Sequence, residues 1–409
     1  LTLIDINSVD CKLYFQGSGW KSAYDDEASS DINKHSIEMT MMNLKNSNYL
    51  LAMALAVGLI GPTLAQENPA LFMTRASAKI ANEMGFKNKW DGPTTGPKIG
   101  EKKLVVFIAS DLRNTSVAAL AKAAKEAAAV AGWDLFTIDC WGLATKHAEA
   151  FSRALALKPG GIILASIDAR GQAKEISAAT AKKIPVVGWH AATKIGPSDG
   201  LFTNLGTDPK EVGQTAALLS VVESNGKEGV VVFTDPSNLY SVVKSNEIVD
   251  VIKRCQTCSL LGLEELPVTS APEQMPAILT ALVKRHGKKW THVISVHDIY
   301  FDLMTTPAAT TILADLKLQA LSAGDGSESA YRRIRTKTLQ MGTVPEPIAM
   351  QGWQLIDELN RSFAGEKPSG FSTAVYAVTI QNIAFHGGPK NEFEPENGYR
   401  NEYRKIWGK

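Results

Sequence analysis

The sequence predicts an α/β protein whose parallel sheets are covered by helices on both faces, built as two similar series of units. Three observations predict it. From about residue 103, short apolar runs alternate with amphipathic helical stretches, the signature of βα units. The pattern runs through once and then repeats, as in duplicated lobes and unlike a short-period repeat. Several apolar runs also end in a polar or aromatic residue, at the strand end where open parallel sheets place ligands.

The first series reads strand Leu104–Ser110, helix Ser116–Ala131, strand Leu135–Asp139, helix Thr145–Ala156, strand Gly161–Ile167, helix Gly171–Lys183 and strand Pro185–His190. Its first helix is alanine-rich with Lys and Glu on one face, which suits a helix laid on a sheet. Phe202–Gly206 reads as a short strand near a crossover. The second series opens with a helix over Asp208–Val222, where Asp208-Pro209 makes an N-cap followed by an N1 proline. It continues as strand Gly229–Asp235, helix Ser237–Arg254, strand Ser259–Leu263, helix Ala271–Arg285, strand His292–Val296, helix Phe301–Leu316 and strand Ala320–Ala323. Thr338–Val344 and Phe371–Val378 read as further strands around a helix, Ala349–Ala364, that stops at Gly365-Glu366-Lys367-Pro368.

The region before the pattern has its own logic. Met41 or Met42 starts a short polar stretch with Lys45, an apolar run follows over Tyr49–Ile60, and small residues stand at Thr63 and Ala65. This is the layout of a secretory signal peptide over 41–65, cleaved after Ala65. The apolar run is shorter than the roughly 20 residues that span a bilayer. Leu13–Gly17 reads LYFQG, which resembles a protease site used to remove tags, so 1–40 is set aside as a tag-like, non-native segment. Residues 66–100 form an extension, with a helical stretch over Pro69–Met84, expected to pack on the first lobe.

The chain has 43 Lys and Arg against 42 Asp and Glu, and no basic block, so nucleic acid is a poor partner. Cys255 and Cys258 form a CxxC after a helix. In an oxidising compartment a local disulfide is the expected state, with free thiols or metal and redox chemistry as alternatives. A thiolate would be stabilised at a helix N-terminus, not here, and zinc would need two more ligands. No HExxH, Walker A, GxSxG or helix-opening GxGxxG is present. No metal or cofactor is expected, and no catalysis.

At this point the order of elements resembles the type I periplasmic binding proteins, the ribose-binding-like solute receptors of ABC importers, over about residues 101–380. The matching pieces are LVVFIASDLRNTSVAALAKAAKEAA, KPGGIILASIDA, KKIPVVGWHA, DPKEVGQTAA, HVISVHD, ALSAGDG, and GTVPEP followed by QGWQLIDELNRSFAGE. The resemblance implies two Rossmann-like lobes, three hinge strands and a ligand enclosed between the lobes. It places 66–206 with about 347–373 in the N-terminal lobe, and 207–346 with about 374–409 in the C-terminal lobe.

A neutral sugar needs groups that pair with adjacent hydroxyls, and aromatic faces for its C–H surface. Asp111, Arg113 and Asn114 follow the first strand, and by resemblance Asn114 sits at a hydroxyl-binding position. Trp141 and Trp189 could supply a stacking face or could be core. His190 falls where many relatives carry Arg, which disfavours a sugar acid. By resemblance Asp168, His297 and Asp325 are ligand positions, although Asp168 could instead make an Asx turn and Asp325 a tight turn. Asp298 is read as a structural partner. Tyr240 and Lys244 lie in the helix where relatives carry Arg, and Glu346 sits at the second crossover.

The expected function is a periplasmic solute-binding protein, monomeric, that closes its lobes on a monosaccharide or sugar alcohol and delivers it to an ABC permease in the inner membrane. The alternatives are a chemosensory receptor subunit, the same fold holding an aromatic acid or autoinducer-like furanose, and a secreted α/β hydrolase or isomerase.

Overall fold

The computed structural model describes residues 68–387 and 390–409. The expectations for the tag-like segment and the signal peptide lie outside these residues. Among the described residues, no helix is long and apolar enough to cross a membrane.

Helix α1 (Pro69–Glu83) comes first, capped by Asn68. A first sheet follows from β1 (Leu104–Ala109), β2 (Asp134–Asp139), β3 (Gly161–Ala165), β4 (Val186–Trp189), β5 (Gly196–Ser198) and β6 (Leu201–Leu205), in the order β2-β1-β3-β4-β6-β5. Only the β5–β6 hairpin is antiparallel. Helix α2 (Thr115–Ala131) covers one face, while α3 (His147–Ala156) and α4 (Ala173–Ala181) cover the other. The β1 run is a continuous apolar stretch because both of its faces are covered, and Val105 to Ala109 are wholly buried. Asn114 and Gly132 close the two ends of α2, the glycine in the left-handed conformation.

Helix α5 (Pro209–Glu223) starts the second lobe. Its sheet holds β7 (Gly229–Thr234), β8 (Ser259–Glu265), β9 (His292–Ser295), β10 (Gln319–Ser322), β11 (Gln340–Thr343) and β12 (Val378–Thr379), in the order β12-β11-β10-β9-β7-β8. The helices are α6 (Leu239–Arg254), α7 (Ala271–His286), α8 (Ile299–Met304), α9 (Pro307–Ile312) and α10 (Glu328–Thr336). Helix α11 (Ile348–Phe363) then returns to the first lobe, packs against α2 with Gly352 close to Ala123, and buries Trp353, Leu355, Ile356 and Leu359 in the first-lobe core.

Several expectations are corrected. Phe301–Leu316 is two helices, because Thr306 caps a new helix that has Pro307 at its first position. The expected strand Phe371–Val378 is ladder only at Val378–Thr379, which runs antiparallel to β11. The rest of that segment is passing between lobes and makes one isolated bridge, Thr207 to Thr373.

The terminal segments exchange sides relative to the expected division. Helix α1 buries Phe72, Ala76 and Ile80 in the second-lobe core, not the first. The final helix α12 (Tyr399–Trp407) packs on the first lobe, not the second: Tyr399, Tyr403, Ile406 and Trp407 form one helical face that meets Trp353. The reason is apolar burial, which periodicity records without naming the partner surface. The two terminal segments bond to each other on the way across. Asn382 Nδ2 donates to the Met84 carbonyl at 3.1 Å, His386 Nε2 meets the Gly85 carbonyl at 3.2 Å, and Ile99 N donates to the Trp407 carbonyl at 3.1 Å. Two passages between lobes are thereby added to the three crossovers at 205–209, 343–348 and 371–378.

Cys255 and Cys258 form a disulfide just after α6. Cys140 is a free, buried thiol whose pKa is pushed up to about 11 by burial and then by Asp139.

Candidate functional site between the lobes

In each sheet the strand order reverses beside the first strand of its series, between β1 and β3 and between β7 and β9. Side chains beyond the carboxyl ends of strands converge at such points, and here the two sets face each other.

The centre is a buried cluster. His190, at the end of β4, lies with Nε2 3.0 Å from Glu346 Oε2. Two further donors reach that oxygen, Thr207 N at 3.1 Å and Gln351 Nε2 at 3.1 Å. Lys244 of α6, wholly buried, places Nζ 3.6 Å from Glu346 Oε1. Among the described residues the Lys244 ammonium has no hydrogen-bond partner. Gly213 explains its depth: a Cβ there would stand 2.4 Å from the Lys244 carbonyl oxygen, so only glycine lets α5 and α6 approach this closely.

Burial alone would raise the Glu346 carboxyl, but His190 beside it, then Lys244 and Gln351, hold it down at about 2. Burial pushes the His190 imidazole below the ordinary histidine range, although Glu346 opposes this. The cluster therefore sets one carboxylate against both an imidazole and a lysine side chain. Since the carboxylate only accepts, Nε2 of His190 carries the hydrogen.

Three rings fill the space beside this cluster. Trp189 stacks on His190 with centroids 3.7 Å apart, and His190 stacks on Tyr240 at 3.9 Å. Trp189 Nε1 donates to Gln351 Oε1 at 2.7 Å, and the Tyr240 hydroxyl donates to the Thr207 carbonyl. Thr207, Glu346 and Thr373 stand on the three crossovers. Gln351 joins the last two, donating to Glu346 and, at 3.0 Å, to Thr373 Oγ1, which lies 2.7 Å from Thr207 Oγ1.

On the second lobe, His297 Nδ1 lies 3.2 Å from Asp325 Oδ2, and its Nε2 lies 2.9 Å from Ser241 Oγ. Gly324 makes the Asp325 position possible, since a Cβ there would stand 2.4 Å from the Val296 carbonyl. Burial would raise the Asp325 carboxyl, but His297 and then Lys244 and His190 hold it well below the usual carboxylate range. Asp298 is structural: it accepts from Gly326 N at 2.8 Å, Ser327 N at 2.9 Å and Gln340 Nε2 at 2.8 Å, fixing the Gly-Asp-Gly loop.

The remaining expected residues lie outside the cluster. Asp111 and Arg113 pair with each other, with Arg113 Nη2 2.6 Å from Asp111 Oδ2, and Arg113 also holds the Trp141 carbonyl at 2.9 Å. The paired guanidinium lowers the Asp111 carboxyl. Trp141 is exposed and takes a left-handed φ of +57°. Asn114 is the N-cap of α2, accepting from Ser116 N at 2.9 Å and Val117 N at 3.3 Å. Asp168 accepts from Arg170 N at 3.2 Å in an Asx-type turn, and it borders a void of about 20 Å³ between the lobes. Across that void Asn238 Nδ2 donates to Ser166 Oγ at 3.2 Å, a direct bond from one lobe to the other.

Sequence reasoning missed Gln351, Thr207, Thr373, Ser166 and Asn238. Each makes at least one bond to a partner more than 70 residues away, and no local pattern marks that bond. The one available signal was a run of polar side chains on a helix, α11, that is otherwise core-facing. Among the described residues, no group of three or more His, Cys, Asp or Glu is placed to hold a metal ion.

Residues 105–367 match the family described as periplasmic binding protein domain. A glucose-galactose binding protein, GanP, from Geobacillus stearothermophilus superposes with a TM-score of 0.61 at 18% identity, covering 69% of this chain and 99% of its own. The periplasmic binding component of the arabinose ABC transporter from Shewanella sp. ANA-3 gives 0.59 at 18% identity, covering 74% and 95%. An ABC transporter solute-binding protein from Agrobacterium vitis with bound allitol gives 0.58 at 17% identity, covering 74% and 99%. No curated protein matches the chain in sequence.

Proposed function

This chain belongs to the periplasmic binding protein family, and from that premise we propose that it binds a neutral carbohydrate or sugar alcohol between its two lobes without transforming it. The observation that carries this reading is a set of polar groups gathered on the second lobe, just beyond β9 and β10 and on α6. Asp325 offers a carboxylate, His297 and Ser241 offer groups that donate and accept, and the Lys244 ammonium lies behind them, 3.6 Å from Glu346 Oε1. Such a set recognises hydroxyls without requiring a charge on the ligand. The names of the similar structures, which speak of sugars and of allitol, point the same way.

In this reading the lobes close on the solute about the three crossovers, and the closed surface is presented to an ABC permease. Export to the periplasm follows from the leader-like segment, and the protein acts as a monomer. A thermal-shift screen against pentoses, hexoses, polyols, sugar acids and small aromatics tests it. A ligand at 100 times its dissociation constant stabilises a fold by about 2.7 kcal/mol. A shift with neutral sugars or polyols supports the proposal. A shift confined to charged or aromatic compounds overturns the ligand class.

A further inference from the structure

The space for a ligand is unequally divided about the buried cluster. On the Asp168 side the stack of Trp189, His190 and Tyr240 leaves only the void of about 20 Å³, room for about one water. On the opposite flank lies a cavity of about 680 Å³, with Asp325 and Glu346 among its lining residues. That is well inside the range of ligand pockets, about 300–1,000 Å³, and a single monosaccharide fills a fraction of it.

The cavity is walled by both lobes, with α2 on one side and the start of α10 on the other, and the segment Asn391–Glu394 lies over it. That segment is tied to both lobes. Arg335 Nε donates to Asn391 Oδ1 at 2.8 Å, and Phe393 is buried in the second lobe against Tyr376. Arg400 then bonds Glu126 of α2 at 2.8 Å and Glu394 at 2.6 Å.

Four Lys and Arg and six Asp and Glu line the cavity. An excess of carboxylates repels an anionic ligand. Much of the charge is already paired, as in Arg400 with Glu126 and Glu394 and Arg332 with Glu328. Paired charges next to the hydroxyls of Thr115, Ser327 and Ser329 offer donors and acceptors with little net field, which suits a neutral chain of sugar units. Asp325 supplies the join, since His297 engages one of its carboxylate oxygens and the other makes no hydrogen bond among the described residues.

We propose that this cavity is an extended subsite for a neutral di- or trisaccharide, whose first unit is anchored on Asp325 and whose further units lie along α2 beneath Asn391–Glu394. The proposal rests on the carbohydrate-binding reading above and adds the length of the solute and the place of its second and third units.

Calorimetric titration of the protein with gluco-, galacto- and arabino-configured mono-, di- and trisaccharides tests it, repeated on Ala119→Trp. Ala119 lines the cavity on α2 and is half-buried, so the indole fills the subsite and leaves Asp325 untouched. A thermal melt within a few degrees of the parent protein shows that the variant folds, and Lys122→Ala serves as a second, milder change on the same wall. The expected result is a di- or trisaccharide bound at least tenfold more tightly than its monosaccharide, with that advantage lost in Ala119→Trp and reduced in Lys122→Ala. Tightest binding of a monosaccharide, or oligosaccharide binding unchanged in both variants, overturns the subsite and leaves the carbohydrate reading standing. Failure of every carbohydrate to bind overturns both.

Discussion

His190 and Glu346 are 156 residues apart in sequence and 3.0 Å apart in space, and their bond ties the end of β4 in the first lobe to the second crossover between the lobes. Because Glu346 also takes the Thr207 amide and neutralises Lys244, one carboxylate connects first lobe, hinge and second lobe.

Removing that carboxylate strands a buried ammonium. Breaking a buried pair costs about 3–5 kcal/mol, whereas replacing both partners is often neutral. Glu346→Ala is therefore expected to lower the unfolding free energy by an amount in this range, and the double variant Lys244→Met, Glu346→Gln to recover most of it. Urea denaturation measures both. A loss under about 1 kcal/mol in Glu346→Ala would show that the pair is not buried as described.

Asp325 is the carboxylate with a free acceptor facing the proposed ligand. Asp325→Asn is expected to weaken carbohydrate binding by more than tenfold, or about 1.4 kcal/mol, with little change in the melting temperature. His190→Ala should weaken binding as much and also destabilise the fold, since the imidazole is held between two rings. Titration calorimetry beside a thermal melt separates the two effects, and equal melting losses in both variants would contradict the division of roles.

The terminal helix is held by aromatic packing. Trp407 stacks on Trp353 with centroids 5.4 Å apart and donates Nε1–H to Asp357 Oδ1 at 2.8 Å. Truncating a buried tryptophan costs about 3–5 kcal/mol, so Trp407→Ala should lose that much by denaturation. It should also raise the hydrogen-exchange rate of residues 95–99, whose carbonyls and amides bond α11 and α12. Unchanged exchange there would mean that α12 does not hold the N-terminal segment in place.

Glu228 carries a pH dependence outside the site. Burial raises its carboxyl to about 7 from an ordinary 4.5, and the hydrogen bond from Ser220 only partly opposes this. A raised folded pKa means that the protonated form is favoured by folding. The stability this supplies is full below pH 4.5, falls as pH rises from there and is gone above pH 7. Glu228→Gln is expected to match the parent protein below pH 4.5 and to be more stable at pH 8 by about 3 kcal/mol. Melting temperatures across that interval decide it, and identical pH profiles would refute the burial of this carboxyl.

Much of the fold was legible in the residues because βα alternation is a local property. The runs at Leu104, Gly161, Gly229 and His292 are apolar because parallel strands are covered on both faces. The caps Asn114 and Asp208 were not equally legible. Asp208-Pro209 was read as a helix start, whereas Asn114 was placed in the ligand site, since a capping side chain and a ligand-binding one are the same chemistry at the same strand end. His190, Lys244 and Glu346 were picked out individually, but not their mutual contact.

By itself, then, the sequence determined the two βα series, the polar groups at the strand ends, and the pairing of Cys255 with Cys258 as the expected state. Each of these depends on neighbours within a few residues or on a repeating pattern. Only the tertiary structure decided that α1 crosses to the second lobe and α12 to the first, that Thr207, Glu346, Gln351 and Thr373 lock the crossovers together, and that the open volume lies beside α2 and not beside Asp168. The physical reason is that apolar faces and hydrogen-bonding groups carry no address. An amphipathic helix buries its stripe against whichever surface fits, and a buried carboxylate finds its donors in space, across 156 residues as readily as across five.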